Sequence, residues 1–187
     1  MRPRQPAAAL PRLWLMTDER LGDRLWAAIA RLPRGAGIVF RHYHTPAAER
    51  RALFVRLAAV ARRRGLVLVA GGAVPPGWRG LVHGDDKPGR PRTAPAHNRR
   101  EAIAAIRGGA VLLFASPVHP TRSHPGARAL GPARLGLMIR GLAVPVVALG
   151  GMDARRARAL APLGIHGWAA IDAWLADGGA ANGAADQ

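Results

Sequence analysis

The chain has 187 residues, 49% of them hydrophobic and 21% charged, and 28 Lys+Arg against 11 Asp+Glu give a formal net charge of +17. This is the profile of one globular domain with enough length to bury a substantial core. The absence of cysteine excludes a disulfide scaffold, a thiolate metal site and a cysteine nucleophile. No apolar run reaches the roughly 18 residues of a membrane helix, and the apolar patch at 7–10 is too short for the core of a secretion signal, so a cytoplasmic protein is expected. Lys87 is the only lysine. Arginine is spread along the chain together with Ala, Gly and Pro, which reads as a bias of the whole sequence and as charges facing solvent. A sequence pI of about 12.0 favours anionic partners. With aromatics at only 5%, a stacking platform for nucleic-acid bases is poorly supplied.

In chain order, Leu13-Trp14-Leu15-Met16-Thr17 reads as a buried strand, and Leu21, Leu25, Ile29 and Leu32 recur at helical spacing over 20–32. A second strand spans 37–41. A helix spans 47–64, with Leu53, Leu57, Val60 and Ala61 on one face, Thr45 as N-cap, Pro46 at the first position and Gly65 as the stop. The continuous apolar run 66–70 is a third strand. Segment 71–80, rich in Gly and Pro, leaves room only for a short or lost helix. Strands follow at 81–83 and 93–96, separated by a polar loop, then a helix at 98–107 and a strong strand at 110–114. A long loop runs from 115 to 129. A helix at 131–141, a strand at 144–149, a helix from Asp153 to Leu163 and a last strand at 166–171 complete the pattern.

Eight strands alternating with helices predict a parallel sheet, and eight such units predict a compact (β/α)8 TIM barrel with shortened third and fourth helices. The rival is an open doubly wound sheet, which would want a glycine-rich turn after the first strand. Thr17-Asp18-Glu19-Arg20 stands there instead. Residues 1–12 are expected to be a flexible extension, 13–176 the barrel and 177–187 a disordered tail.

In such a barrel the chemistry sits where strands end and helices begin. Six of the seven histidines (His42, His44, His83, His97, His119, His124) fall at those junctions. His42 and His44 are spaced to share one strand face and could ligate a metal, with the third ligand left open among His83, His97 and His124. No Gly-x-Ser-x-Gly elbow supports a serine hydrolase. Gly150-Gly151 after the seventh strand would let a ligand approach the backbone closely, and the helix starting at Asp153 would offer N–H groups to an anion.

The segments LWLMTD (13–18), SPVHPTRSHPGARALG (116–131), PVVALGGM (145–152) and GWAAIDAW (167–174), in this order, resemble thiamine phosphate synthase and its TenI-type relatives. The resemblance spans about residues 13–174 and implies a (β/α)8 barrel. The implied reaction joins a hydroxymethylpyrimidine diphosphate to a thiazole phosphate with release of pyrophosphate. It also implies Mg²⁺ and basic groups around the leaving group, with phosphorylated small molecules as substrates and no nucleic acid or membrane partner. On the thiazole-phosphate side it assigns Thr121 and Ser123 to the family's Thr-x-Thr, Gly150 and Gly151 to its glycine pair, and Ile171 and Asp172 to its last phosphate-binding pair, where Asp172 replaces a Ser. On the diphosphate side the family's Gln-x-Arg-x-Lys falls on Phe40, His42 and His44, and its Asn-Asp on Ala70-Gly71. The remaining metal carboxylate falls on Asp85 or Asp86. The Ser-x-His falls on Pro95 and His97, and the lysine after Thr-x-Thr is His124.

The catalytic residues expected on this basis are His42, His44, His97 and His124, with Arg41 and Arg122 as substitute cations beside the replaced ones. A TenI-like homologue is the alternative, either a thiazole tautomerase or a phosphate-binding barrel without synthase chemistry. A non-enzymatic basic protein for RNA or acidic partners is a further one. Oligomeric state is not indicated.

Overall fold

Short, largely buried strands of two to six residues, each followed by a turn and a helix or loop, build the molecule. The computed structural model describes residues 10–84, 91–121, 126 and 128–175. The strands are β1 (Leu13–Met16), β2 (Gly37–Phe40), β3 (Val67–Gly71), β4 (Val82–His83), β5 (Arg92–Ala96), β6 (Ala110–Ala115), β7 (Val146–Leu149) and β8 (Gly167–Ala170). Each is parallel to its neighbour in chain order. β1 also pairs with β8, through Trp14 opposite Ala169, and this closes the barrel. The predicted (β/α)8 architecture is therefore the observed one.

The helices are α1 (Arg24–Ala30), α2 (Ala47–Arg64), α3 (Arg99–Arg107), α4 (Gly131–Ile139) and α5 (Ala154–Leu160). The single helix expected over 20–32 is divided. Asp18 caps a 3-10 turn, Glu19–Leu21, by accepting the Arg20 N–H, and Gly22 at φ 48° separates that turn from α1. In α2 the N-cap is Pro46 rather than Thr45, whose hydroxyl is directed at Glu19. The third helix is not merely shortened, because 72–81 contains no helix. Trp78 fills the link instead, donating from Nε1 to Leu81 O (3.0 Å) and setting its ring edge on Phe54 (5.1 Å). The fourth link falls largely on 85–90, outside the described residues.

Trp14 organises the barrel floor. Its ring meets Phe114 edge-on at 5.3 Å, and its backbone carbonyl accepts from Trp174 Nε1 at 3.0 Å. Trp14 lies opposite Gly37 in the β1–β2 register, and a Cβ at Gly37 would stand 2.1 Å from the indole, so only glycine leaves room for the ring. Residues 10–12, read from sequence as part of the extension, are tied to the barrel. Trp14 Nε1 donates to Pro11 O, Trp168 N donates to Arg12 O, and Leu10 O lies 2.8 Å from His166 Nε2. Residues 1–9 and 176–187, the rest of the expected extension and tail, lie outside the described residues. Among the described residues no helix is long and apolar enough to cross a membrane.

Candidate active site

A cavity of about 440 Å³ opens at the C-terminal ends of the strands. Met16, Phe114, Leu149 and Ala170 give it an apolar floor. Arg41, His83, His97, Thr121 and Asp172 give it a polar wall, with Gly150, Gly151 and Ile171 at the β7 and β8 ends. Alternation along each strand decides which side chains reach it. On the β2 exit Arg41 faces inward. Phe40 and His42 face α2, with Phe40 5.4 Å from the Phe54 ring and His42 stacked on Phe40 at 4.8 Å.

The end of β1 aims Arg41. Its backbone N–H donates to Thr17 Oγ1 (2.9 Å), its Nε to Thr17 O (3.1 Å) and its terminal nitrogen to Asp18 Oδ2 (3.4 Å). Burial opposes ionisation of Asp18, but the hydrogen bonds from Arg20, followed by the charges of Arg20 and Arg41, outweigh it and hold the carboxyl below its ordinary range. Asp18 is thus an ionised orienting group whose charge two guanidinium groups already share.

His97 sets Nδ1 2.6 Å from Ser116 O. A carbonyl only accepts, so Nδ1 carries a proton and donates it to this bond, which fixes the ring with Nε2 at the far side. His83 sits lower, with Nδ1 2.9 Å from Thr93 Oγ1 and its ring edge-on to Phe114 at 5.5 Å. Burial, then the Arg41 charge, pushes it down to about 4, so at neutral pH it offers hydrogen bonds without charge.

Backbone contacts zip the loops after β6 and β7 together. Val118 N donates to Leu149 O (2.8 Å) and His119 N to Gly150 O (3.1 Å). Both glycines have positive φ, 97° and 59°. A Cβ on Gly150 would lie 2.8 Å from Pro117 Cα, and one on Gly151 2.6 Å from Pro120 O. The pair is therefore required by the close passage of the β6 loop as well as by any ligand. The expected anion site at the start of α5 is altered, since the Asp153 carboxylate itself accepts the Arg156 N–H at 2.8 Å.

Of the residues singled out from sequence, the cavity gathers Arg41, His97, Thr121, Gly150, Gly151, Ile171 and Asp172. It does not gather His42, which is buried behind the wall with Nδ1 3.0 Å from Thr17 Oγ1, nor His44, which is exposed with its N–H on Glu19. Arg122, Ser123, His124, Asp85 and Asp86 lie outside the described residues. His83, named from sequence only as a possible third metal ligand, and Ser116, given no role there, both line the cavity. Their place at strand ends was the available signal. Asp172 is the only carboxylate in the described lining, and no group of three His, Asp or Glu among the described residues stands close enough to hold a metal ion. Mg²⁺ takes oxygen ligands, and the carboxylates that the resemblance assigns to it, Asp85 and Asp86, are not among the described residues.

Fold and site together define a (β/α)8 barrel with a cavity of mixed polar and apolar lining at the C-terminal face of its strands. Residues 93–174 match the family model described as thiamine monophosphate synthase (TMP-TENI). The segment supplies β5 to β8 and most of the cavity wall. A thiamine-phosphate synthase of Geobacillus thermodenitrificans is 42% identical over 80 residues, 42% of this chain and 36% of that protein. One of Pyrococcus furiosus is 35% identical over 80 residues, 43% of this chain and 39% of that one. The chain thus matches less than half the length of these curated relatives. The solved thiamine phosphate pyrophosphorylase of Pyrococcus furiosus superposes with a TM-score of 0.76 over 90% of both chains at 24% identity, a likeness of fold.

Proposed function

We propose that the chain is a thiamine phosphate synthase-type transferase, coupling hydroxymethylpyrimidine diphosphate to thiazole phosphate. In this reaction the bond between the pyrimidine methylene carbon and the diphosphate oxygen breaks, and pyrophosphate leaves with the electron pair. The thiazole nitrogen then forms the new C–N bond. The observation that carries the reading is that the family-matched segment builds most of the cavity. The apolar floor suits a planar heterocycle. Arg41 supplies the charge the leaving pyrophosphate requires, in the role the sequence alignment gave to His42. Thr121, Gly150, Gly151 and the backbone at Ile171 hold the thiazole phosphate, with Ser123, Arg122 and His124 as further contacts by resemblance. His97 presents Nε2 to the pyrimidine end. Mg²⁺ on Asp85 or Asp86 belongs to this proposal as the resemblance implies it.

A second reading is favoured by the carboxylate of Asp172 in the cavity, which repels a phosphate. In it, a TenI-like barrel binds thiazole phosphate without condensing it. One experiment separates the two. The purified protein is mixed with both substrates, with and without Mg²⁺, and assayed for thiamine phosphate. Product formation supports the synthase. Thiazole phosphate binding without product supports the TenI-like barrel, and binding of neither ligand overturns both.

A further inference from the structure

A second cavity, of about 500 Å³, lies beside the barrel mouth between the exit of β2, the first turn of α2 and the loop after β3. Tyr43, Thr45, Arg50, Arg51, Gly72 and Ala73 are in its lining, which among the described residues contains no carboxylate and shares no residue with the central cavity.

Arg50 is the unusual member. Only 7% exposed, it donates from Nε to His42 O (2.8 Å), from one terminal nitrogen to Ala73 O (2.5 Å) and from the other to Gly71 O, and its guanidinium lies 4.9 Å above the Phe40 ring. These are neutral acceptors. Among the described residues no carboxylate stands within ion-pair distance of it. A guanidinium has five N–H donors, so the three carbonyls leave donors for a further partner, and a buried positive charge without a counter-ion is costly. Glu19 lowers that cost through space, but its carboxylate accepts from His44 N and Thr45 Oγ1 and is not part of the lining.

The rest of the wall agrees in sign. Arg51 adds a second charge at the same wall. Tyr43, 51% exposed, packs its ring on Gly72, and burial raises its hydroxyl pKa, so it remains a neutral donor. The 18-residue α2 starts at this wall without a side-chain cap, which adds its dipole.

We propose that this cavity binds an oxyanion of the phosphate class, held by Arg50 and Arg51 with the Tyr43 hydroxyl, at a site separate from the central cavity. The proposal does not depend on the synthase reading. The probe is inorganic pyrophosphate, titrated calorimetrically into the full chain, with inorganic phosphate as a second titrant to tell a diphosphate-sized site from a single-phosphate one. Arg51→Ala is expected to weaken binding at least tenfold and Tyr43→Phe severalfold, both with an unchanged circular dichroism spectrum. Arg41→Ala, which removes the guanidinium of the central cavity, is expected to leave that affinity in place. The absence of pyrophosphate binding overturns the proposal, as does an affinity untouched by Arg51→Ala and Tyr43→Phe or abolished by Arg41→Ala, because the anion then sits in the central cavity. Since the readout is binding and not thiamine phosphate formation, its failure is distinct from failure of the synthase reading.

Discussion

At the scale of single residues the site depends on which neighbour in a strand points inward. Arg41 and His42 are adjacent, yet the first lines the cavity and the second stacks on Phe40 behind the wall. We therefore expect Arg41→Ala to lower kcat/KM for thiamine phosphate formation at least tenfold, whereas His44→Ala, altering a side chain away from the cavity, changes it less than twofold. Steady-state kinetics on both variants checks this. His83 makes a separate, thermodynamic prediction. Unfolded, it takes up a proton near 6.5, and folded only near 4. Between those values the unfolded state binds more protons, so stability is complete above pH 6.5 and is lost as the pH falls toward 4, by at most about 3 kcal/mol. Urea unfolding midpoints measured from pH 7 to 4.5 should show this loss, and His83→Gln should reduce it.

At the scale of elements, arginine has a structural use that composition conceals. Arg64 donates to the carbonyls of Ile29, Ala30 and Leu32 at the end of α1, and Arg99 to those of Leu137, Met138 and Arg140 at the end of α4. Arg92 reaches Ala105 O and Gly108 O at the end of α3. Helix C-termini leave their last carbonyls unpaired and carry negative partial charge, so a guanidinium fork from a neighbouring element both caps a helix and joins it to the next. The expectation of solvated arginines thus holds for Arg62 and Arg63 but not for Arg50, Arg64 or Arg92. Arg64→Gln should cost about 1–3 kcal/mol, and the exposed Arg63→Gln less than about 0.5 kcal/mol. Denaturant melts of the two variants compare them directly.

For the whole molecule, a formal charge of +17 on a 19.8 kDa chain implies self-repulsion in the folded state. Raising NaCl from about 0.01 M to about 0.2 M shortens the screening length and should raise Tm by about 2–5 °C. A Tm unchanged by salt, as followed by thermal melts across that range, would overturn this expectation. Closure of the ring supplies the second molecule-wide property. Because β1 pairs with β8, the ends of all eight strands converge on one face. That convergence sets Arg41 and His97, 56 positions apart, in the walls of one cavity.

The short continuous apolar runs, the Gly65 stop and the Asp153 cap were enough for the sequence alone to determine the eight-unit barrel and the end of it where functional residues gather, since local propensity and hydrophobic pattern act over a few residues. It also carried the motifs of the family-matched half. Tertiary structure alone decided which side chains at those ends share a cavity. A one-residue change in strand register exchanges inside for outside, and the choice of Arg41 over His42 rests on the packing of Phe40 against Phe54 in α2. It likewise decided the burial of Arg50, because the three carbonyls that hold it come from segments that meet only once the barrel has closed.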